Sequence, residues 1–465
     1  MALHRSLRSA RIFTAGAGLI LVAGCATGDR TAPHAAVPIG QTALAPGEPR
    51  WPMGEWWRDY GSAELDRLVA EALRANTDIA MALGRIEQAR GRALSAGASL
   101  LPAVGLNASA QRSDGAASVV MERWAWEATL SYEADLWGRY RADRDAARFA
   151  LFASRFDHDG VRLMVIGDVA ANYTALMTVR ERQAIARLNL AAARHLLARV
   201  EAMDRVGLIL AGDLAAQRAL IAGEEADLAA LGQAEGELLA ALALLVGRPA
   251  QGFAVAGQGL NAIVREPAVT PGLPSELLLR RPDIAAAEAA LVSAQADVRA
   301  ARGATLPSIA LTAGRGVEGG RGPSAAFYNL LAGLTQPIFD HGRLAGQRDT
   351  AEGVRIEREG AYRKAILQAL SEVERDLKAV DSLARTVAAL ETQVEEATRA
   401  AAAAEARYRA GVDEIILSLD AQRVLYAARA RLTQARGDRF AATISLQRTL
   451  GGGWIYRPDL AAQGQ

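Results

Sequence analysis

Val104, Leu106, Ala108 and Ala110 are apolar or small at every second position, and Trp124, Trp126, Ala128, Leu130 and Tyr132 repeat the pattern. A period of two marks a strand with one apolar face. The alternation returns at Ile309, Leu311 and Ala313 and, less cleanly, between Phe327 and Pro337. Loops rich in Gly, Ser and Asp at 113–121 and 316–324 separate the members of each pair, so two β-hairpins are predicted. Elsewhere the period is helical. Ile166, Val169, Tyr173 and Leu176 are spaced 3, 4, 3, as are Leu370, Val373, Leu377 and Val380; the second seam continues through Leu383, Val387, Leu390 and Val394. No proline occurs from 134 to 248 or from 338 to 457. These stretches of 115 and 120 residues predict two long helical hairpins, each broken in the middle by a glycine, Gly207 or Gly411. An Ala-rich helix precedes each strand pair and runs into Pro102 or Pro307, where proline stops it.

The chain is written twice. Asp78 and Asp283 lie 205 residues apart, as do Pro102 and Pro307, and Ala216-Gln217-Arg218 and Ala421-Gln422-Arg423. Gly138-Arg139 and Gly342-Arg343 differ by 204, as do Gly207 and Gly411. Agreement at nearly one offset argues for duplication of a unit far longer than a solenoid repeat. We place the first repeat at 51–260, with a β-hairpin at about 103–135 and a helical hairpin at about 136–247. The second spans 261–457, with a β-hairpin at about 307–340 and a helical hairpin at about 341–450, before a tail at 458–465.

A helix of about 70 residues is roughly 100 Å long. Such a hairpin has too few large side chains to bury itself, and its alanines suit close lateral packing against further copies. The strands reach the ten or so residues needed to cross an outer membrane when tilted, and Trp124, Trp126, Tyr132, Phe327 and Tyr328 fit an interfacial girdle. A soluble hairpin with aromatics in its core is the other reading. If the strands do cross a membrane, four cannot close a barrel, and open edges are not tolerated there. Several chains must then share one barrel.

The N-terminus reads as an address. Residues 1–24 carry Arg5, Arg8 and Arg11, no acid, and an apolar or small run from Ile12 to Ala23, the form of a secretory signal. It ends Leu21-Val22-Ala23-Gly24-Cys25, which resembles a bacterial lipobox; a chance cysteine in an ordinary signal is the alternative. Acylation of Cys25 would anchor the chain to lipid through a linker over 25–50. Ala26, where an aspartate would retain a lipoprotein at the inner membrane, favours the outer one. No later apolar run reaches about 18 residues, so no transmembrane helix is expected.

Composition narrows the classes. Lys+Arg is 53 and Asp+Glu 52, so no basic excess points to nucleic acid. One cysteine excludes a disulfide framework, and the five histidines lie far apart, so neither a metal nor another cofactor is expected. No nucleophile elbow or phosphate loop appears, and no enzyme is predicted. Glu372, Glu374 and Asp376 alternate along a helix and read as solvated.

Several strings resemble the TolC-like outer-membrane efflux factors, in the NodT-like lipoprotein branch that works with RND pumps. They are Trp56-Trp57 with Leu65 and Leu68; Leu273-Pro274-Ser275-Glu276-Leu277-Leu278 with Arg280-Arg281-Pro282-Asp283-Ile284; Gln336-Pro337-Ile338-Phe339-Asp340 with Gly342-Arg343; Arg407-Tyr408-Arg409-Ala410-Gly411; Leu419-Asp420-Ala421-Gln422-Arg423; and Leu450-Gly451-Gly452-Gly453-Trp454. The resemblance covers about 50–457. It implies a mainly α protomer with a small membrane β part. Three chains would share a twelve-stranded barrel above a periplasmic α-helical barrel, loaded by a periplasmic adaptor and an inner-membrane RND pump to export small molecules. It further implies a periplasmic gate: Arg407 and Tyr408 hold the closed mouth, and Ile416 and Asp420 form constricting rings. Three aspartates brought together repel each other and attract cations, and Arg423, three residues on, can partly neutralise Asp420. Gly207 and Gly411 mark the hairpin tips where an adaptor would dock. The first tip, Val206-Gly207-Leu208-Ile209-Leu210-Ala211-Gly212-Asp213, departs from the family pattern. A coiled-coil spacer lipoprotein and a protein-secretion channel of the same fold are the alternatives; the spacer has no use for two strand pairs.

Overall fold

Asn76 begins the first Ala-rich helix by accepting the backbone N–H groups of Asp78 and Ile79 at 2.8 and 3.1 Å, satisfying donors a helix start leaves open. Its amide also donates to the carbonyl of Leu245 at 2.9 Å, so one side chain ties the start of one helix to the end of another. The computed structural model describes residues 50–114, 120–207, 211–263, 265–267, 269–270, 272 and 274–456. The expected signal at 1–24, Cys25, the linker up to 49, Leu208-Ile209-Leu210 and the tail lie outside them.

In chain order the elements are α1 (Ala63–Ala75), α2 (Thr77–Ala98), β1 (Ala103–Asp114), β2 (Val120–Ala134), α3 (Arg139–Asp204), α4 (Ala211–Leu245), α5 (Pro274–Leu277), α6 (Pro282–Gly303), β3 (Ser308–Gly320), β4 (Ala325–Thr335), α7 (Arg343–Arg409) and α8 (Ile415–Thr449). The glycines do not break the helical stretches in the middle. Each hairpin has a long arm of 66 or 67 residues and a short one of 35. Length explains the arrangement. At 1.5 Å per residue α3 is about 100 Å long and α4 only about 52 Å. The 22-residue α2, about 33 Å, packs on the part of α3 that α4 leaves bare, and the equally long α6 packs on α7 and also along α3.

The two β-hairpins form one antiparallel sheet in the order β1-β2-β3-β4. The repeats join through β2 and β3, with Trp126 opposite Val317 and Leu130 opposite Ala313. Helix starts beneath this ribbon are built alike. Asp135 accepts the N–H groups of Tyr140 and Arg141 at 3.1 Å each; 205 residues on, Asp340 accepts those of Gly342 and Leu344 at 3.1 and 3.0 Å. Burial raises the Asp135 carboxyl, but these backbone bonds and Arg141 outweigh it and hold its pKa below the ordinary value.

The core is small and sits where the short helices crowd the long ones. Trp56, Tyr60, Leu65, Val169, Tyr173, Leu176 and Met177 are essentially inaccessible there. A second cluster, Leu277, Ile284, Leu291, Ile366 and Val373, is its counterpart in the other repeat. Between them lies a polar node. Asp376 is buried and accepts the hydroxyls of Ser445 at 2.8 Å and Thr449 at 3.2 Å. Arg281, also buried, forks onto Asp283, reaches Glu372 at 2.8 Å, and donates to the Thr449 carbonyl at 3.1 Å. Of the three carboxylates read as solvated, only Glu374 is so, beside Lys378. Glu372 and Asp376, four residues apart, share the helix face that the start of α6 and α8 reach, whereas Glu374 between them points away.

Candidate functional site: a strand ribbon and the hairpin tips

β-strand geometry sorts the ribbon into two faces. The register puts Val104, Leu106, Trp124, Trp126, Leu130, Leu311, Tyr328 and Leu330 on one face. Asn107, Ser109, Gln111, Glu127, Thr129 and Asn329 lie on the other, and Asn329 donates to Glu127 there at 3.0 Å. The apolar face is bare: Val104 is 76% exposed and Leu330 83%. The girdle expectation needs one correction. Phe327 and Tyr328 are consecutive in β4 and point to opposite sides, so Phe327 lies on the polar face. Its ring fills the space over Gly316, where an added Cβ would come within 2.8 Å of it.

The outer strands β1 and β4 each have one unpaired edge. A ribbon apolar on one side and polar on the other, with two open edges, is a segment of a barrel and not a finished one.

The opposite pole is formed by the hairpin tips. Gly207 and Gly411 turn the chain with φ of 71° and 72°, in the left-handed region that glycine adopts without strain. No atom would meet a Cβ at either, so conformation and not space demands glycine there. Arg407 grips Asp413 with two bonds of 2.6 and 2.9 Å, stapling the turn between α7 and α8. That bond, with Coulombic attraction behind it, holds the Asp413 carboxyl below the ordinary range and lifts the Arg407 guanidinium. Tyr408 donates its hydroxyl to the sulfur of Met203 at 2.8 Å, across to the first hairpin. Ile416 is half-buried against Leu196, Val200, Ile415 and Leu419. Asp420 is exposed, 3.5 Å from Arg423, which also donates to the Ala216 carbonyl at 3.2 Å. The structure thus gathers Arg407, Tyr408, Ile416, Asp420 and Arg423 around one turn and its following helix. Sequence reasoning missed Asp413 and Met203 as partners. No signal in the sequence marked Met203: the repeat equivalent of Tyr408 is Asp204, at the offset of 204 that relates Gly207 to Gly411.

α4 carries a long, weakly charged and mostly apolar surface within Gly212–Leu245. Alanine and leucine supply it without an unbroken run, and most of that surface is uncovered in the single chain.

An incomplete barrel segment carried on helices about 100 Å long defines the protomer of an oligomeric envelope channel. The chain belongs to the outer membrane efflux protein family, whose sequence pattern matches it twice, at 68–248 and 273–452. Those two matches begin 205 residues apart. Among curated relatives, the pyoverdine export outer membrane protein OpmQ of Pseudomonas aeruginosa is 39% identical over 418 residues, covering 86% of this chain and 87% of that protein. Outer membrane protein OprJ of the same species is 32% identical over 86% of each. Among solved structures, the outer-membrane channel OprN superposes with a TM-score of 0.82 at 26% identity, over 90% of this chain and 98% of that one. The Campylobacter jejuni CmeC channel shares the fold with a TM-score of 0.86 at 23% identity, over 93% and 96%. The protein is therefore an outer-membrane efflux channel component, of a family of trimeric channels whose helices project into the periplasm.

Proposed function

We propose that three copies close their ribbons into a twelve-stranded barrel, and that the resulting tunnel discharges small molecules handed up by a periplasmic adaptor and an inner-membrane RND pump. The observation that carries this is the one-sided ribbon with free β1 and β4 edges: edge-to-edge joining of copies satisfies every backbone group in the bilayer. The exposed apolar surface of α4 supports the same assembly, since a neighbouring copy would cover it. Two relatives at 39% identity are named for pyoverdine export, and a third, at 28%, for toluene efflux. A siderophore is accordingly the first cargo to test. In this reading 1–24 is removed, Cys25 carries the lipid, and the Gly207 and Gly411 tips meet the adaptor. The mouth is held by Arg407 and Tyr408 and narrowed by Ile416 and Asp420.

The test is export itself. A deletion strain should retain siderophore in the periplasm and become sensitive to organic solvents, and the intact gene should restore both. Unchanged secretion and tolerance in the deletion strain would overturn the reading.

A further inference from the structure

The apolar face of the ribbon carries a charge the channel reading does not use. Arg315 lies in β3 opposite Ala128 on one side and Tyr328 on the other, among residues that face lipid. It is exposed, and among the described residues it has no acid or carbonyl within bonding distance. A cation left bare in hydrocarbon is costly, and a long side chain relieves this by reaching for the headgroup layer. The direction of that layer is given. Arg315 stands five residues below Gly320, the end of β3 remote from the helices. At about 3.4 Å per residue and a tilt near 40°, it sits roughly 13 Å below the outer rim.

Above it on the same face come Val317, opposite Trp126, and Gly319, opposite Trp124. The Trp124 ring leans over β3, because a Cβ on Gly319 would come within 2.6 Å of it. Indole rings settle at the headgroup level. At the rim Glu122 lies 3.6 Å from Arg112 and 4.0 Å from Arg321. The outer side of the ribbon therefore offers two levels of guanidinium separated by an aromatic shelf. β3 is flanked by β2 and β4, so closing the barrel leaves Arg315 facing lipid rather than a neighbouring copy.

We propose that Arg315, under the Trp124–Trp126 shelf, binds the phosphate of an anionic glycolipid of the outer leaflet, whose acyl chains lie along Tyr328 and Leu330. Guanidinium pairs phosphate with two parallel bonds, and the neighbouring apolar rows hold the chains.

Native mass spectrometry of the full-length trimer tests this. The probes are hexa-acylated bis-phosphoryl lipid A, the same lipid without its phosphates, and inorganic phosphate as competitor. The wild type should retain the phosphorylated lipid, reject the dephosphorylated one by at least about fivefold, and keep its lipid in millimolar inorganic phosphate. Arg315→Gln should lose about fivefold in retention, and Arg315→Lys should recover part of it. Equal retention by Arg315→Gln, or equal retention of both lipids by the wild type, overturns the proposal; displacement by inorganic phosphate overturns the lipid as occupant. Should Arg315→Gln assemble poorly, the wild-type comparison still decides. The yield of heat-resistant trimer, followed in parallel, separates a failed barrel from a lost lipid site.

Discussion

Tyr408 bonds through its hydroxyl to the sulfur of Met203, one residue away from its counterpart in the duplicated unit, Asp204. The two hairpins are therefore tied at nearly equivalent points close to their tips. Arg199 and Glu405, 3.8 Å apart, add a second bridge between the same long helices. If the proposed gate lies here, opening it requires moving one hairpin against the other. Tyr408→Phe removes the bond and keeps the ring. We expect greater conductance in planar bilayers than for the parent, and a larger increase when Asp420→Ala is added. Unchanged conductance in the double variant would count against a gate at this position.

The Arg407–Asp413 staple has a defined pH window. Its carboxyl is depressed in the folded chain, so the stabilisation is complete above the ordinary carboxylate pKa of about 4 and is lost as pH falls through the lower folded value. Amide exchange at Ala410, Gly411 and Val412 should accelerate on acidification below about pH 4 beyond the intrinsic rate change. Asp413→Asn should show the fast exchange already at neutral pH.

Inside the wall, Arg281 forms an ion pair with Asp283 and Glu372 and closes the α8 end through Thr449. Arg281→Ala leaves the Thr449 carbonyl without its donor, while the half-exposed Asp283 and Glu372 turn to water, and should cost about 1–2 kcal/mol. Lysine, which lacks the fork, should rescue little. Urea denaturation followed by helical circular dichroism measures both. Asp376→Asn, which keeps an acceptor for Ser445 and Thr449, should be milder than Asp376→Ala.

Glycines in the ribbon differ sharply in what they tolerate. A Cβ on Gly316 would meet the Trp126 carbonyl at 2.4 Å, whereas Gly333 has open space. Gly316→Ala should reduce the yield of heat-resistant trimer several-fold, and Gly333→Ala should leave it unchanged.

Cys25 lies outside the described residues, and its acylation is read from sequence alone. Cys25→Ser should abolish incorporation of radiolabelled palmitate. Label on the variant equal to that on the parent would refute the anchor.

Much of this protein is legible without coordinates because its structure is periodic and stated twice. The two periods, the proline stops at Pro102 and Pro307 and the 204–205 offset give strands, helices and duplication, since each follows from local backbone geometry or from copying. Tertiary structure decided what local rules leave open. Only strand pairing could join the two hairpins through β2 and β3 and place Phe327 on the face opposite Tyr328. Only packing could sort Asp376 and Glu372 from Glu374, because the neighbours that bury a carboxylate belong to helices distant in sequence. The unequal helical arms were legible by contrast: Gly138, Gly207 and Gly247, and Gly342, Gly411 and Gly451, all left-handed, bound the long and short arms, so the turns do not fall in the middle; only packing shows that α2 and α6 lie along the long ones.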